Sequence, residues 1–322
     1  MAFVIRKNSE NLIDKLEKAG HFRRRFLENC SSFMYVINKI NENTGEITQK
    51  PIGFYRCKDC MCPICSDIKL YKIKNDLISK IESMDTCNAI FFTISPKRVE
   101  IKYIKDLINV LRGTFTKIKN NKFFRNRISG YITCIEFGSI TDKNYIHIHM
   151  HCVLFMSNSV KGRNFIKNTD FNSIVCDIFD SIAYKLKFTP YMVNKIIYEV
   201  SCEENYIPVQ TNIQSITSIS KIIQKMKYIL KSKDLENLIL SLNRRSLTSF
   251  ISQIVNMKYV TRGGIFSKSN TKHNISSADF AAEYKNCYLL NRLDTEKYIQ
   301  KNKEKFLLWK RADTFYSEIG EV

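Results

Sequence analysis

The chain has 322 residues, with 51 Lys and Arg against 31 Asp and Glu, a formal net charge of +20. That length can bury a core without a disulfide scaffold, and the absence of any apolar run of about 18 residues argues against a membrane-spanning helix. A positive excess of this size calls for a polyanionic partner, first of all nucleic acid, because Lys and Arg that neutralise phosphates release condensed counterions. The opening stretch "MAFVIRKNSENL" lacks a signal-peptide core, so the expectation is a cytoplasmic protein with reduced thiols and no membrane partner.

Residues 10–29 carry an amphipathic helical pattern that ends in the basic cluster "HFRRRF", and "NENTGEITQKP" reads as a loop leading to a cysteine cluster. "CSDIKLYKIKNDLISKIESM" has helical spacing, and "AIFFTIS" is a strand that stops at Pro96, which cannot continue a central ladder. Residues 101–119 return to helix, and "GYITCIEFG" and "YIHIHMHCVLF" are strands joined by the hairpin loop "SITDKN". A helix is expected over 164–188, extended runs over 191–200 and 206–213, and a helix in "SITSISKIIQKMKYILKSKD" with Ser215 or Thr217 as its cap. Beyond 235 the pattern is mostly helical, interrupted by the loop-like "TRGGIFSKSNTKHN". The expected fold is α+β: a central antiparallel sheet that displays the histidines, flanking helices on its opposite face, and a small Cys-rich zinc knuckle in front. The division is 1–85 for a helical and knuckle region, 86–234 for a catalytic domain, and 235–322 for a mostly helical region.

Five of the eleven cysteines fall between residues 30 and 65. In "CKDCMCPIC", Cys62 and Cys65 are two residues apart and suit tetrahedral zinc, and Cys57 is near enough to be a third ligand. The fourth is either Cys60, which crowds the ligands into nine residues, or Cys30 from the preceding segment, which is favoured. Such a site holds shape and has no open position for substrate; the alternative is redox-active or incidental thiols. Cys87, Cys134, Cys152, Cys176, Cys202 and Cys287 read as small core residues.

"NYIHIHMHCVLF" holds three of the chain's five histidines. In a strand, His147, His149 and His151 share one face while Ile148, Met150 and Cys152 point the other way. Three imidazoles in a row suit a transition ion, and Glu136, on the strand expected to pair with this one, adds a carboxylate that widens the choice toward harder ions. The bland alternative is a polar strand face that happens to be rich in histidine. On the helix near 217–232, Gln224, Tyr228 and Lys231 fall on one face, and Lys227 and Lys231 bracket the phenol. Taken alone, a tyrosine among lysines is an exposed neighbour; it becomes a candidate nucleophile only beside a metal site and a basic surface.

Together these stretches, from about Cys30 to Lys231, resemble the plasmid rolling-circle replication initiators of the single-tyrosine branch of the HUH endonucleases. "FFTIS" before Pro96 is similar to the family's first motif, with Thr93 and Ser95 as its hydroxyl residues; "HIHMHCVLF" is similar to the second, and "KYILK" to the third, which carries the nucleophilic tyrosine. The cysteine segment resembles the family's knuckle, except that Cys60 stands where many members have arginine. Gln224 stands where several members carry a glutamate that activates water at termination, and a neutral amide cannot serve as a general base. Glu199, Glu203, Asp234 or a second chain are the candidate substitutes.

The resemblance implies the HUH nuclease fold. It also implies a divalent ion, Mn²⁺ or Mg²⁺, at His149 and His151, with His147 or Glu136 completing the set, and structural Zn²⁺ at the cysteines. It further implies nicking and rejoining of one origin strand by Tyr228 through a 5′-phosphotyrosine, which frees a 3′-hydroxyl primer. Lys227 and Lys231 would favour the phenolate. The implied partner is single-stranded or hairpin origin DNA, on which Tyr55, Phe123 and Phe124 are candidates to stack, although core packing is the stronger reading for those aromatics. "NRRSLTSF" and "MKYVTRGG" are assigned to duplex origin DNA or a homodimer contact, with a host helicase and polymerase as further partners. Competing readings are an HUH transposase or relaxase, a non-catalytic zinc-containing DNA-binding repressor, and a small-molecule metallohydrolase, which the charge disfavours.

Overall fold

In the computed structural model the described residues are 10–21, 23–30, 34–40, 47–54, 56–84, 88–140, 144–157, 166–192, 209–230, 235–255, 257–267 and 287–290. The chain divides into two compact units, residues 1–66 with 270–322, and residues 67–269.

The first unit opens with α1 (Glu10–Lys18) and α2 (Arg24–Asn29) rather than one helix across 10–29. The break is at Gly20, whose φ of +86° is the left-handed conformation glycine adopts without a Cβ penalty. Gly20 N–H donates to Glu17 O and His21 N–H to Leu16 O, so α1 ends in a Schellman closure. The segment expected as a loop, 41–51, contains the first part of β2 (Ile47–Phe54), which pairs with β1 (Met34–Ile40) just before it; β1 also pairs with β9 (Cys287–Leu290), all antiparallel. Pro51 argues against a strand in the sequence, yet it is accommodated because β2 is an edge strand with a register shift beside it, between Tyr35 and Val36 of β1.

The second unit is built on a sheet of order β7-β3-β6-β5-β8: β7 (Val209–Ile216), β3 (Asn88–Pro96), β6 (Tyr145–Met156), β5 (Ile128–Ile140) and β8 (Val260–Gly264). The short β4 (Val99–Glu100) pairs with the start of β6, and every pairing is antiparallel. The central strand β6 explains the layering. Along "YIHIHMH" burial alternates, and from His151 onward every residue is buried, the pattern of a strand covered on one face in its first half and on both in its second. The face carrying Ile146, Ile148, Met150 and Leu154 packs under α4 (Ile104–Lys119) and α5 (Asn168–Lys185), with Phe92 contacting both Phe115 and Phe171.

Helices were expected on that face alone. The histidine face is covered too, in its Val153–Phe155 half, by α3 (Pro63–Glu82) and α6 (Ile219–Ile229), whose Leu77, Ile81, Ile222, Met226 and Ile229 join Phe91, Val153 and Phe155 in one buried cluster. Burial of each large apolar side chain stabilises by about 1.5–3 kcal/mol, so α6 is held firmly against the sheet. Its N-cap is Ser218, not Ser215 or Thr217; no side chain caps it, and Ser218 bonds Ser220 instead.

α7 (Leu235–Ser241) and α8 (Arg244–Ile254) follow, and Asn243 caps α8 by accepting from Ser246 N–H at 2.9 Å. "TRGG", expected as loop, is β8: Gly263 lies against Tyr131 and Gly264 against Ser129 and Gly130, so the two glycines permit a close strand approach. Arg262 of β8 pairs with Asp76 of α3. Residues 67–85 and 235–267 thus contribute to the unit that holds the histidine sheet.

Cys134 and Cys152 are fully buried, as core cysteines should be, and burial pushes the Cys152 thiol well up. Cys176 is part-buried; the run expected to be extended over 191–200 begins instead as helix, with Met192 N–H donating to Phe188 O, and its remainder from 193, Cys87, Cys202 and the Cys287 side chain lie outside the described residues. Among the described residues no helix is long and apolar enough to cross a membrane.

Candidate active site

The cysteine cluster is assembled from two helix ends. α2 stops at Cys30, whose extended backbone (φ −61°, ψ 119°) turns the chain out of the helix. In "CPIC", Cys62 precedes Pro63, the first residue of α3, where proline's missing N–H costs nothing. Cys62 and Cys65 therefore flank the N-terminal turn of α3, where the helix dipole favours thiolate. The Sγ atoms of Cys30, Cys57, Cys62 and Cys65 all lie within 4.8 Å of one another, and Cys30 to Cys65, Cys57 to Cys65 and Cys62 to Cys30 are each 3.6 Å. Corners of a tetrahedron with bonds of about 2.3 Å stand about 3.8 Å apart, so these four could hold a metal ion. The Cys57 thiol, first among its neighbours, holds the Cys30 thiol well below its ordinary range, and Cys57 is pushed up in turn.

Cys60 is not part of the group. The knuckle loop is tied instead by Asp59, nearly fully buried, whose carboxylate accepts from Met61 N–H at 2.8 Å and meets His21 Nε2 at 3.1 Å and Arg23 Nη1 at 3.4 Å. Burial pushes Asp59 up, but the His21 hydrogen bond, the Met61 amide and Arg23 outweigh it and hold the carboxyl below its usual range.

The second group is set by strand register. Glu136 of β5 faces His149 of β6, and Thr93 of β3 faces His151. Glu136 Oε2 lies 2.9 Å from His149 Nε2 and 2.7 Å from His151 Nε2. Two imidazole nitrogens and one carboxylate oxygen converging on one point could hold a divalent ion and leave positions open. Neighbouring corners of an octahedron with bonds of about 2.1 Å stand about 3 Å apart, close to these separations. Thr93 Oγ1 is 3.0 Å from His151 Nδ1, which fixes that ring's orientation. His149 Nδ1 is buried with no hydrogen-bond partner among the described residues.

His147 departs from the trio. It is outside the converging group, and its Nε2 lies 3.0 Å from Ser95 Oγ. Burial, then His149 and Arg98, hold its proton affinity down. Opposite it, Gly138 leaves space for the ring, since a Cβ there would stand 3.3 Å from the His147 Cβ.

Tyr228 sits in the last turn of α6, half-exposed, with its ring edge-on to His151 at a centroid distance of 5.9 Å. The neighbouring turn is pinned by Met226 and Ile229 in the core, so the packing that orders α6 also carries the phenol to the histidine strand. Gln224 and Lys227 are exposed on the same helix; Lys231, Glu199, Glu203, Asp234 and Tyr55 lie outside the described residues. Phe124 is core, edge-on to Phe171, and cannot stack on a base, whereas Phe123 is part-buried beneath the Arg127 guanidinium. Two neighbours were missed in the sequence: Phe91, stacked on His151 at 5.8 Å, and Lys225, with Nζ 4.9 Å over the Phe91 ring. Strand pairing would have pointed to Phe91, since it shares a face with Thr93.

Residues 52–317 match the family described as Replication protein. A "Protein rep" from Bacillus sp is 22% identical over 175 residues, 53% of this chain and 55% of that protein. Another "Protein rep", from Bacillus amyloliquefaciens, is 22% identical over 200 residues, 61% of this chain and 57% of its own. The chain thus spans little more than half the length of these relatives. A Staphylococcus aureus tripeptidase aligns over 68% of this chain and 74% of its own at 10% identity, but its TM-score of 0.21 carries no argument. With the match running from the knuckle through the histidine sheet and the tyrosine helix, the chain belongs to the Replication protein family.

Proposed function

We propose that the protein initiates replication by nicking one strand of origin DNA, with Tyr228 as nucleophile beside a divalent ion held by Glu136, His149 and His151. The observation that carries this reading is the ring contact between Tyr228 and His151 at 5.9 Å. A phenol from a helix and a cluster of ion-binding side chains on a strand otherwise have no reason to meet at a half-exposed surface.

The ion, Mn²⁺ or Mg²⁺, supplies charge neutralisation on the non-bridging oxygens of the scissile phosphate. The chain's own residues do the rest. Tyr228 Oη forms a bond to phosphorus as the 3′-oxygen of the preceding nucleotide leaves; the phenol proton is lost to solvent, and the 3′-oxygen gains one. The products are a 5′-phosphotyrosine and a free 3′-hydroxyl, so the bond energy is conserved and the reverse attack reseals the strand. Lys227, next to Tyr228 in sequence and exposed on the same helix, adds positive charge that attracts the DNA backbone. Gln224, one turn before Tyr228, offers no base to activate water, which protects the covalent intermediate from hydrolysis.

The cysteines hold Zn²⁺ as a structural ion through Cys30, Cys57, Cys62 and Cys65. The net charge of +20 supplies the non-specific attraction to the DNA backbone. The test is incubation with Mn²⁺ and single-stranded origin DNA, followed by denaturing electrophoresis: wild type should give a covalent protein–DNA adduct and Tyr228→Phe none, with DNA binding retained. A non-covalent zinc-containing repressor would bind in both cases and form the adduct in neither.

A further inference from the structure

His147 is left without a task by the ion-binding group, yet it does not face away into the core. It lines a cavity of about 300 Å³ together with Ser95, Lys97, Arg98 and Gln210. Pro96 ends β3, and only Lys97 and Arg98 link it to β4; Pro96 pairs with Val209 on one side and Val99 with Ile146 on the other. The two basic residues therefore sit on a short corner anchored by strands at both ends, with exposed side chains beside the His147 ring.

The chemistry of this cavity differs from that of its neighbour. Among the described residues no carboxylate lines it, two of its side chains are basic, and a hydroxyl, an amide and an imidazole complete a set rich in donors. Such a set repels a cation and suits an anionic oxygen, with the Arg98 guanidinium able to engage phosphate in a bidentate manner. The volume is at the lower end for small-ligand sites, enough for a phosphate with its sugar. The His147 and His149 rings stand 5.3 Å apart, so a strand with one phosphate at the ion has its neighbour within reach of this corner.

We propose that Ser95, Lys97, Arg98 and His147 form a phosphodiester subsite that takes the backbone phosphate adjacent to the one Tyr228 attacks. His147 is then a strand-positioning residue and not an ion ligand, and its hydrogen bond with Ser95 sets the ring for that contact. The inference rests on the strand-nicking reading above and names how that site holds its substrate.

The experiment measures two affinities on full-length protein: Mn²⁺ alone, by the electron paramagnetic resonance signal of the free ion, and the oligonucleotide dT12, by fluorescence anisotropy at several salt concentrations. His147→Ala and the double variant Lys97→Ala/Arg98→Ala should each weaken dT12 binding about tenfold. The slope of log affinity against log salt should also flatten by about 0.7 for each phosphate that the variant no longer neutralises. Mn²⁺ affinity should stay at the wild-type value in both, and His149→Ala should lose it. Because Lys97 and Arg98 are exposed, the double variant remains informative if His147→Ala fails to fold. The proposal is overturned if His147→Ala loses Mn²⁺ as His149→Ala does, if dT12 affinity and slope stay at wild type in the double variant, or if wild type does not bind dT12. Failure of the nicking reading shows separately, as a wild-type protein that binds dT12 and Mn²⁺ but forms no adduct with origin DNA.

Discussion

The two clusters of side chains that could hold an ion are built from equally short sequence signals, and they differ in closure. Around the cysteines four sulfurs face one another, three of them buried, at separations that fill a tetrahedron. Around the histidines three donors converge among the described residues, on a half-covered sheet face with a phenol at the edge. Ligand number and exposure, more than ligand identity, separate a group that would close around an ion from one that would leave positions on it open. A second contrast lies in what positions the ligands. The cysteines are brought together by helix ends and a loop tied through Asp59, whereas Glu136, His149 and His151 are fixed by the register of three paired strands.

The sharpest way to break this comparison is at the closed cluster. Cys30→Ser or Cys62→Ser should release zinc and unfold the first unit, since structural zinc carries on the order of 10 kcal/mol of folding free energy; Cys60→Ser should leave zinc content and thermal stability unchanged. Metal analysis with circular dichroism checks both, and zinc loss in Cys60→Ser would mean that the wrong four sulfurs have been chosen.

At the open site the next largest effect is expected from Gln224→Glu. A carboxylate one turn before Tyr228 restores a general base, worth about 10²-fold or more in hydrolysis of the covalent intermediate. Adduct lifetime after quenching reads this directly, and an unaltered lifetime would place the water-activating position elsewhere. Thr93→Val removes the hydroxyl that orients His151 and should weaken Mn²⁺ binding about 10- to 100-fold without unfolding the sheet; a titration showing wild-type affinity would reduce Thr93 to a packing residue.

The smallest effect concerns the knuckle's polar tie. Asp59 is held below the usual carboxylate range in the folded chain, so its stabilisation is present above the unfolded pKa of about 3.9 and is lost as pH falls through the folded value. Asp59→Asn should cost about 1–3 kcal/mol near neutrality and narrow the gap to wild type as the pH is lowered into that acid range. A gap that stays constant with pH would show that the carboxylate's charge contributes nothing there.

Much of the histidine sheet was legible in the sequence because a strand's period of two is written directly in "YIHIHMHCVLF", and the partner strand supplies Glu136 at the matching position. The choice of Cys30 over Cys60 was also available from spacing, since four ligands within nine residues leave little backbone to wrap an ion. What escaped depended on neighbours distant in sequence. β8 looked like a loop because glycine pairs signal turns, and only the close approach of Gly130 and Tyr131 explains Gly263 and Gly264 in a strand. β2 was hidden by the turn-like composition of "NENTGEITQKP" and by Pro51, which an edge position tolerates. The separation of His147 from the other two histidines could not be read from alternation, which treats all three alike; it follows from Ser95, 52 residues away, taking its Nε2.

The most direct test of Tyr228 beside the Glu136–His149–His151 group is to trap the covalent complex of wild-type protein with Mn²⁺ and an origin strand, digest both partners, and locate the residual nucleotide by mass spectrometry. The expected result is a nucleotide on the phenolic oxygen of the peptide that contains Tyr228. A nucleotide on any other tyrosine, or strand cleavage that leaves a free 5′-phosphate and unmodified protein, would contradict it.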